Sequence, residues 1–301
     1  MGKKPFSSFF PSLKGLFLGS SWTLFSAVFI SFFLIYPLIS TFISSFFEPS
    51  LATPSGPRFI GLDNYIYAIF QDSTFQKAAR LQAALLVFGV GGEVLFGLAI
   101  ALLLNKSLRG RGVVKTILVI PFLMSNVTVA LIWQWMLNSE FGIVNEALQS
   151  LFGIRISFLH PAVVGNTIIL IWIWSKTPWD ALVLLAGLST IPESLYDAAK
   201  TDGASVWQML RKITLPMLFP ILLVNILFRL IVALRPFGLV FAITGLGSTV
   251  HVLSTWAYTM FYIFGRPNLA SAMICIIALL AICINVAVSL VRKKVIKQRV
   301  R

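Results

Sequence analysis

Five ionisable residues interrupt long apolar runs: Glu93, Lys176, Asp180, Arg229 and Arg235. At the centre of a membrane-spanning helix each costs about 2.5–3.5 kcal/mol, so each must face a bundle interior, water or a partner. Lys176 and Asp180 stand four apart and share a helical face, which predicts an internal ion pair. Lys176 and Arg229 fall near mid-span, the depth at which transporters hold solute. Such a set can hydrogen-bond a polar solute, with Trp172, Trp174 or Trp179 stacking on a ring face. Glu93 and Asp180 can also bind protons in an ion-coupled carrier. A structural use satisfies the same burial cost: ion pairs and anchors that hold two subunits together. Glu93, in "GVGGEVLFG", reads as a satisfied polar group among close-packed helices. Arg235, beside Pro236, is placed to snorkel to an interface.

Other chemistries find little support. His160 and His251 have no metal-ligand spacing. Cys275 and Cys283 stand eight apart, about 12 Å along a helix and beyond disulfide reach. There is no GxxxxGK[ST] loop for ATP, nucleophile elbow or carboxylate dyad. The chain is expected to be no enzyme and to hold no cofactor of its own.

These residues must be positioned by membrane-spanning elements. The chain has 301 residues, 58% hydrophobic and 11% charged, against about 25% charged in soluble domains. That much apolar surface needs lipid as its solvent. Runs near 22–47, 81–104, 116–137, 162–187, 217–241 and 269–291 predict six transmembrane helices in an all-α protein, preceded by an interfacial segment, 1–21, and followed by a basic tail, 292–301. The first run is too long for a signal-peptide core and is expected to stay as a helix. Phe6, Phe9 and Phe10 beside Lys3 and Lys4 read as an interfacial anchor. Pro and Gly in "PSGPRFIGLDNY" suit a small cap between the first two spans.

The net charge of +14 is a topology signal, not a nucleic-acid footprint. Sixteen Lys and Arg lie in the N-terminus, the 104–116 loop, the 189–216 loop and the C-terminus, against five in the other loops. By the positive-inside rule both termini and the 189–216 loop are cytoplasmic.

That last loop is unusual. "YDAAKTDGASVWQMLRKITLPMLFP" (196–220) is polar, helix-forming and charged. Pro192 and Glu193 suit a first helical turn, Gly203 interrupts, and Asp202 suits the cap of a second segment. Val206, Leu210 and Ile213 share a face of that segment, and Pro216 and Pro220 are expected to end it. Two short helices with a glycine corner make a structure that a soluble partner can grip.

Asp197-Ala198-Ala199, three residues, Gly203, nine residues, Ile213, one residue, Leu215-Pro216 is similar to the EAA loop of ABC-importer permeases, with Asp197 where Glu is usual. "FIGLDNY" (59–65), "LLLNKSLRGRG" (102–112), "LAGLSTIPESLYDAAKTDGAS" (185–205) and "FR" (228–229) resemble the binding-protein-dependent sugar permeases of maltose/trehalose type. "RPFGLVFAITGLGST" (235–249) departs from that family's usual pattern. The resemblance implies a type I ABC-importer permease fold in the inner membrane of a prokaryote. It also implies a second homologous permease in a heterodimer, two ATPase subunits holding ATP and Mg, and an extracytoplasmic binding protein that delivers a sugar or sugar-like solute. Asp197, Ala198, Ala199, Gly203, Ile213, Leu215 and Pro216 would form the ATPase coupling loop. Lys176, Asp180, Arg229, Trp174 and Trp179 remain the candidate solute path. The alternative, an ion-coupled carrier, leaves the loop unexplained.

Overall fold

The computed structural model describes residues 21–48, 57–105, 110–245 and 247–299. The expected anchor at Phe6, Phe9 and Phe10 and part of the basic 104–116 loop lie outside them. We number the helices α1 (Thr23–Ser44), α3 (Ser73–Asn105), α7 (Val164–Leu188), α9 (Val206–Ala233) and α12 (Pro267–Arg299) as the long apolar elements. Between them lie α2 (Asp63–Ile66), α4 (Arg111–Leu123), α5 (Asn126–Met136), α6 (Ile143–Phe152), α8 (Glu193–Thr201), α10 (Phe237–Thr244) and α11 (Leu253–Tyr262). The described residues contain no β-strand.

Two expected spans are built differently. The third is broken: α4 and α5 meet at an angle of 98°. Ser125 at the break is extended and its hydroxyl accepts from the Thr128 N–H, so a new helix is capped inside one apolar run. The fifth begins earlier than expected. Pro216 and Pro220 do not end the loop segment; the helix runs unbroken from Val206 to Ala233. A π turn at Leu210–Thr214 shifts the hydrogen-bond ladder just ahead of Pro216. The same helix then stops at Leu234–Pro236, and the 237–241 part of the expected span belongs to α10.

α7 is the most enclosed of the long helices and packs chiefly along α3. Small residues allow this contact. A Cβ at Gly97 would lie 2.6 Å from Asp180 Cβ and 3.0 Å from the Ala181 nitrogen, and one at Gly92 would lie 2.6 Å from Ile173 Cδ1. The "GVGGEVLFG" segment is thus the close packing surface that its composition suggests. One apolar core joins α3, α5, α7 and α10 around Leu85, Val129, Ile168, Trp172 and Val240. A second joins α3, α11 and α12 around Phe75, Leu253 and Met273. α1 has no buried residue over its span and packs against α12.

The "FIGLDNY" motif has a structural explanation. The Asn64 amide donates to the carbonyls of Ser45 (2.9 Å) and Phe47 (3.0 Å), while Tyr65 meets the Ser45 hydroxyl at 2.7 Å. Together with Asn268, which donates to Ser44 O at 3.0 Å, these side chains close the carbonyl end of α1.

Candidate functional site: a buried charge cluster and an exposed coupling loop

The loop at 189–216 forms as a helix, a corner and a second helix. Gly203 has φ +75°, and nothing lies within 4 Å of where its Cβ would be. The requirement is therefore conformational rather than one of space. The Ala204 N–H reaches Ala199 O at 2.9 Å and the Gly203 N–H reaches Lys200 O at 3.0 Å. This is the paired closure of a helix whose next residue is left-handed, a position suited to glycine. Asp202 does not cap the second segment. Ser205 does, accepting from the Gln208 N–H at 3.3 Å while the Gln208 side chain accepts from the Ser205 N–H at 2.8 Å.

Asp197 is exposed and pairs with Lys200 at 2.9 Å. With Asp197, the exposed Ala198 and Gly203 form the outer ridge of the loop while Ala199 is half-buried, and Val206 and Trp207 beyond the corner are 76% and 67% exposed. Ile213 turns inward instead, packing with Tyr196 over Leu184, Leu188 and Leu218, and Leu215 is half-buried. The Tyr196 and Thr214 hydroxyls meet at 3.0 Å, tying α8 to the stem of α9. Pro216 stands in that stem. The apolar residues at the corner face away from the core, and the stem connects them to a long helix that enters the bundle.

At the other site, α3, α7 and α9 bring Glu93, Asp180 and Arg229 together. Arg229 Nε and Nη2 donate to the two oxygens of Glu93 at 2.8 and 2.5 Å. Asp180 Oδ2 lies 3.6 Å from Arg229 Nε, and Asp180 Oδ1 accepts from the Asn225 amide at 2.5 Å. All four are buried. The expected Lys176–Asp180 pair does not form. The Lys176 ammonium donates to Asn126 Oδ1 at 2.7 Å and sits 5.5 Å from the centre of the Trp172 ring. An i, i+4 pairing is worth only tenths of a kcal/mol, and Asp180 turns instead to Asn225 and Arg229 on another helix. Neither Asn126 nor Asn225 was among the candidate site residues read from the sequence.

Trp179 stands between Phe122 (5.2 Å) and Phe228 (5.7 Å). Trp179 and Phe228, with Val183, Pro220, Ile221, Val224 and Asn225, line an open groove of about 480 Å³ beside the charge cluster. Trp174 is on another face, 42% exposed and edge-on to Trp133. Arg235 is exposed, as its place beside Pro236 suggests.

The architecture is that of a polytopic α-helical transport subunit: broken and π-bulged spans, charges held in the interior and a helical loop projecting from the bundle. Residues 93–297 match the family model described as "Binding-protein-dependent transport system inner membrane component". The chain is 34% identical over 243 residues to the trehalose/maltose transport system permease protein MalF of Thermococcus litoralis, covering 80% of this chain and 81% of that one. It is 32% identical over 263 residues to the sulfoquinovosyl glycerol transport system permease protein SmoG of Agrobacterium fabrum, covering 86% and 85%. Among solved structures it is similar to a bacterial ABC transporter involved in the import of the acidic polysaccharide alginate, with a TM-score of 0.77 at 27% identity over 93% of this chain and 96% of that one. A structure of the bacterial alginate transporter with an alginate pentasaccharide-bound periplasmic protein gives 0.78 at 26% identity, over 94% and 96%. The chain belongs to the binding-protein-dependent inner membrane component family and is a permease subunit of an ABC importer with the type I fold, not an ion-coupled secondary carrier.

Proposed function

We propose that this permease imports a sugar or sugar-like solute delivered by an extracytoplasmic binding protein, together with a second homologous permease and two ATPase subunits that hold ATP and Mg. The observation that carries the reading is the match, over four fifths of the chain, to a permease named for trehalose/maltose transport. Both termini and the 189–216 loop are cytoplasmic in this proposal, as the distribution of Lys and Arg requires. The loop is the seat of one ATPase, and Trp207 and Val206 are the apolar residues that partner covers. Because α8 is tied to the α9 stem, closure of the ATPase dimer moves α9 as a lever and changes which side of the bundle is open.

The solute path runs beside α7. Lys176 and the Trp179 groove line it, with Trp174 nearer one mouth. Arg229 is held by Glu93 and Asp180 by Asn225, so these residues hold α3, α7 and α9 in register behind the path. The test is uptake of labelled maltose and trehalose into proteoliposomes containing the complete transporter and its binding protein. Uptake should follow ATP on the ATPase side, ignore collapse of a proton gradient, and fall in Lys176→Met and Trp179→Ala without loss of bound ATPase. Uptake of neither sugar, nor of any member of a labelled panel of neutral and acidic sugars, would refute the solute class.

A further inference from the structure

The groove beside the charge cluster has one amide in an otherwise apolar and aromatic wall, that of Asn225 on α9. Such a group inside an apolar helix is costly unless it is matched. One end is matched: the Asn225 nitrogen donates to Asp180 Oδ1 at 2.5 Å. A carboxylate accepts and an amide nitrogen donates, so Asp180 dictates which end of the amide faces it. The carbonyl end is turned away. Asn225 Oδ1 accepts no hydrogen bond from any described residue and is not fully buried, although Asn225 as a whole is only 4% exposed.

Trp179, on α7 across the groove, leaves a group of the opposite kind unmatched. Its indole N–H is buried without a hydrogen-bond partner, while its ring stands 5.7 Å from that of Phe228. An unpaired acceptor on α9 and an unpaired donor on α7 thus border one cavity of about 480 Å³. A lipid chain or an apolar helix laid there would leave both unpaired. A sugar hydroxyl both donates and accepts, and the carbon face of its ring suits aromatic walls.

We infer that Asn225 is a specificity-determining residue of the solute path. Its carbonyl accepts a hydrogen bond from one solute hydroxyl in the groove, and Asp180 is the positioning residue that holds it in that orientation. Arg229, 3.6 Å from the other Asp180 oxygen, steadies the carboxylate from the far side. The groove therefore demands a donor at this point: a hydroxyl meets the Asn225 oxygen favourably, whereas a carboxylate or ether oxygen meets it lone pair to lone pair. This rests on the sugar-import reading above.

The test uses the full transporter complex in detergent, without binding protein, titrated with trehalose or maltose while tryptophan fluorescence is followed. Trp179→Phe identifies the part of the signal that comes from the groove. The wild-type complex should give a saturable change. Asn225→Leu should raise the half-saturating concentration roughly 5- to 10-fold, the loss of one hydrogen bond. Asp180 lies outside the groove wall, yet Asp180→Asn frees the Asn225 amide to turn over and should shift half-saturation in the same direction. Gln82→Met, which removes a buried hydrogen bond to Ala233 O at the end of α9, should lower the melting temperature without moving half-saturation. If Asn225→Leu does not assemble, Asp180→Asn set against Gln82→Met decides. Unchanged half-saturation in Asp180→Asn, or an equal shift in Gln82→Met, makes the pair structural only and overturns the assignment. No saturable, Trp179-dependent change with either sugar overturns it too; the sugar-import reading falls only if uptake into proteoliposomes also fails.

Discussion

Arg229 and Glu93, 136 residues apart in the chain, face each other through two hydrogen bonds of 2.8 and 2.5 Å with neither residue more than 1% exposed. This pair joins α9 to α3, and Asp180 joins α7 to the same guanidinium at 3.6 Å. One side chain therefore holds three long helices at a single depth.

Removing one partner of a buried pair leaves an uncompensated charge, at about 3–5 kcal/mol. Arg229→Met strands two carboxylates and should be the most destabilising change. Glu93→Gln should follow, because Arg229 then keeps one hydrogen bond to the amide oxygen and, as its ionic partner, only the longer contact to Asp180. Asp180→Asn should be mildest, since the bidentate pair survives. Thermal unfolding of the three variants in one detergent checks the order.

The contact between α3 and α7 makes a second prediction. Gly97→Ala places a Cβ against Asp180 Cβ and the Ala181 backbone, which cannot swing aside. A loss of about 1–3 kcal/mol is expected from such overpacking. Gly91→Ala, six residues away on the same helix with nothing within 4 Å of its Cβ, should be neutral or slightly stabilising. Paired melting curves separate the two.

His251, outside the spans, gives a pH dependence. It is 6% exposed and packs on Trp256, whose indole donates to Asp72 at 2.7 Å. Burial pushes its pKa below the usual 6.5, partly opposed by a Ser248 backbone hydrogen bond and the Asp72 charge. The folded protein thus binds its proton less readily than the unfolded chain. The stability that neutral His251 contributes is full above pH 6.5 and is lost as pH falls below it towards the lowered value. His251→Gln should flatten the fall in melting temperature between about pH 7 and pH 5.

Much of this was legible in the sequence. The spacing around Asp197 and Gly203 located a helix–corner–helix loop, and the left-handed glycine explains why the spacing includes one. Five of the six apolar runs were placed as spans; the break in the other was hidden because hydropathy averages over direction. Ser125 three residues before Thr128, with Pro121 upstream, was the available signal. Pro216 and Pro220 misled because a π turn ahead of them cannot be read from proline positions. The Lys176–Asp180 pairing failed because spacing along one helix says nothing of Asn126 and Arg229, which arrive from 50 residues before Lys176 and 49 after Asp180.

The central claim is that the 189–216 loop carries the work of an ATPase into the bundle. Trp207→Ala should shift the melting temperature by no more than about 2 degrees, because the side chain is 67% exposed and exposed substitutions rarely exceed about 0.5 kcal/mol. Gly203→Val forces a β-branched residue to φ +75°, and Asp197→Lys reverses the charge on the outer ridge. The most direct measurement is the amount of ATPase that co-purifies with each variant, read beside ATP-driven uptake by the same preparation. The account predicts that all three insert into the membrane while ATPase recovery and uptake fall together. Undiminished ATPase recovery with normal uptake in all three would contradict it.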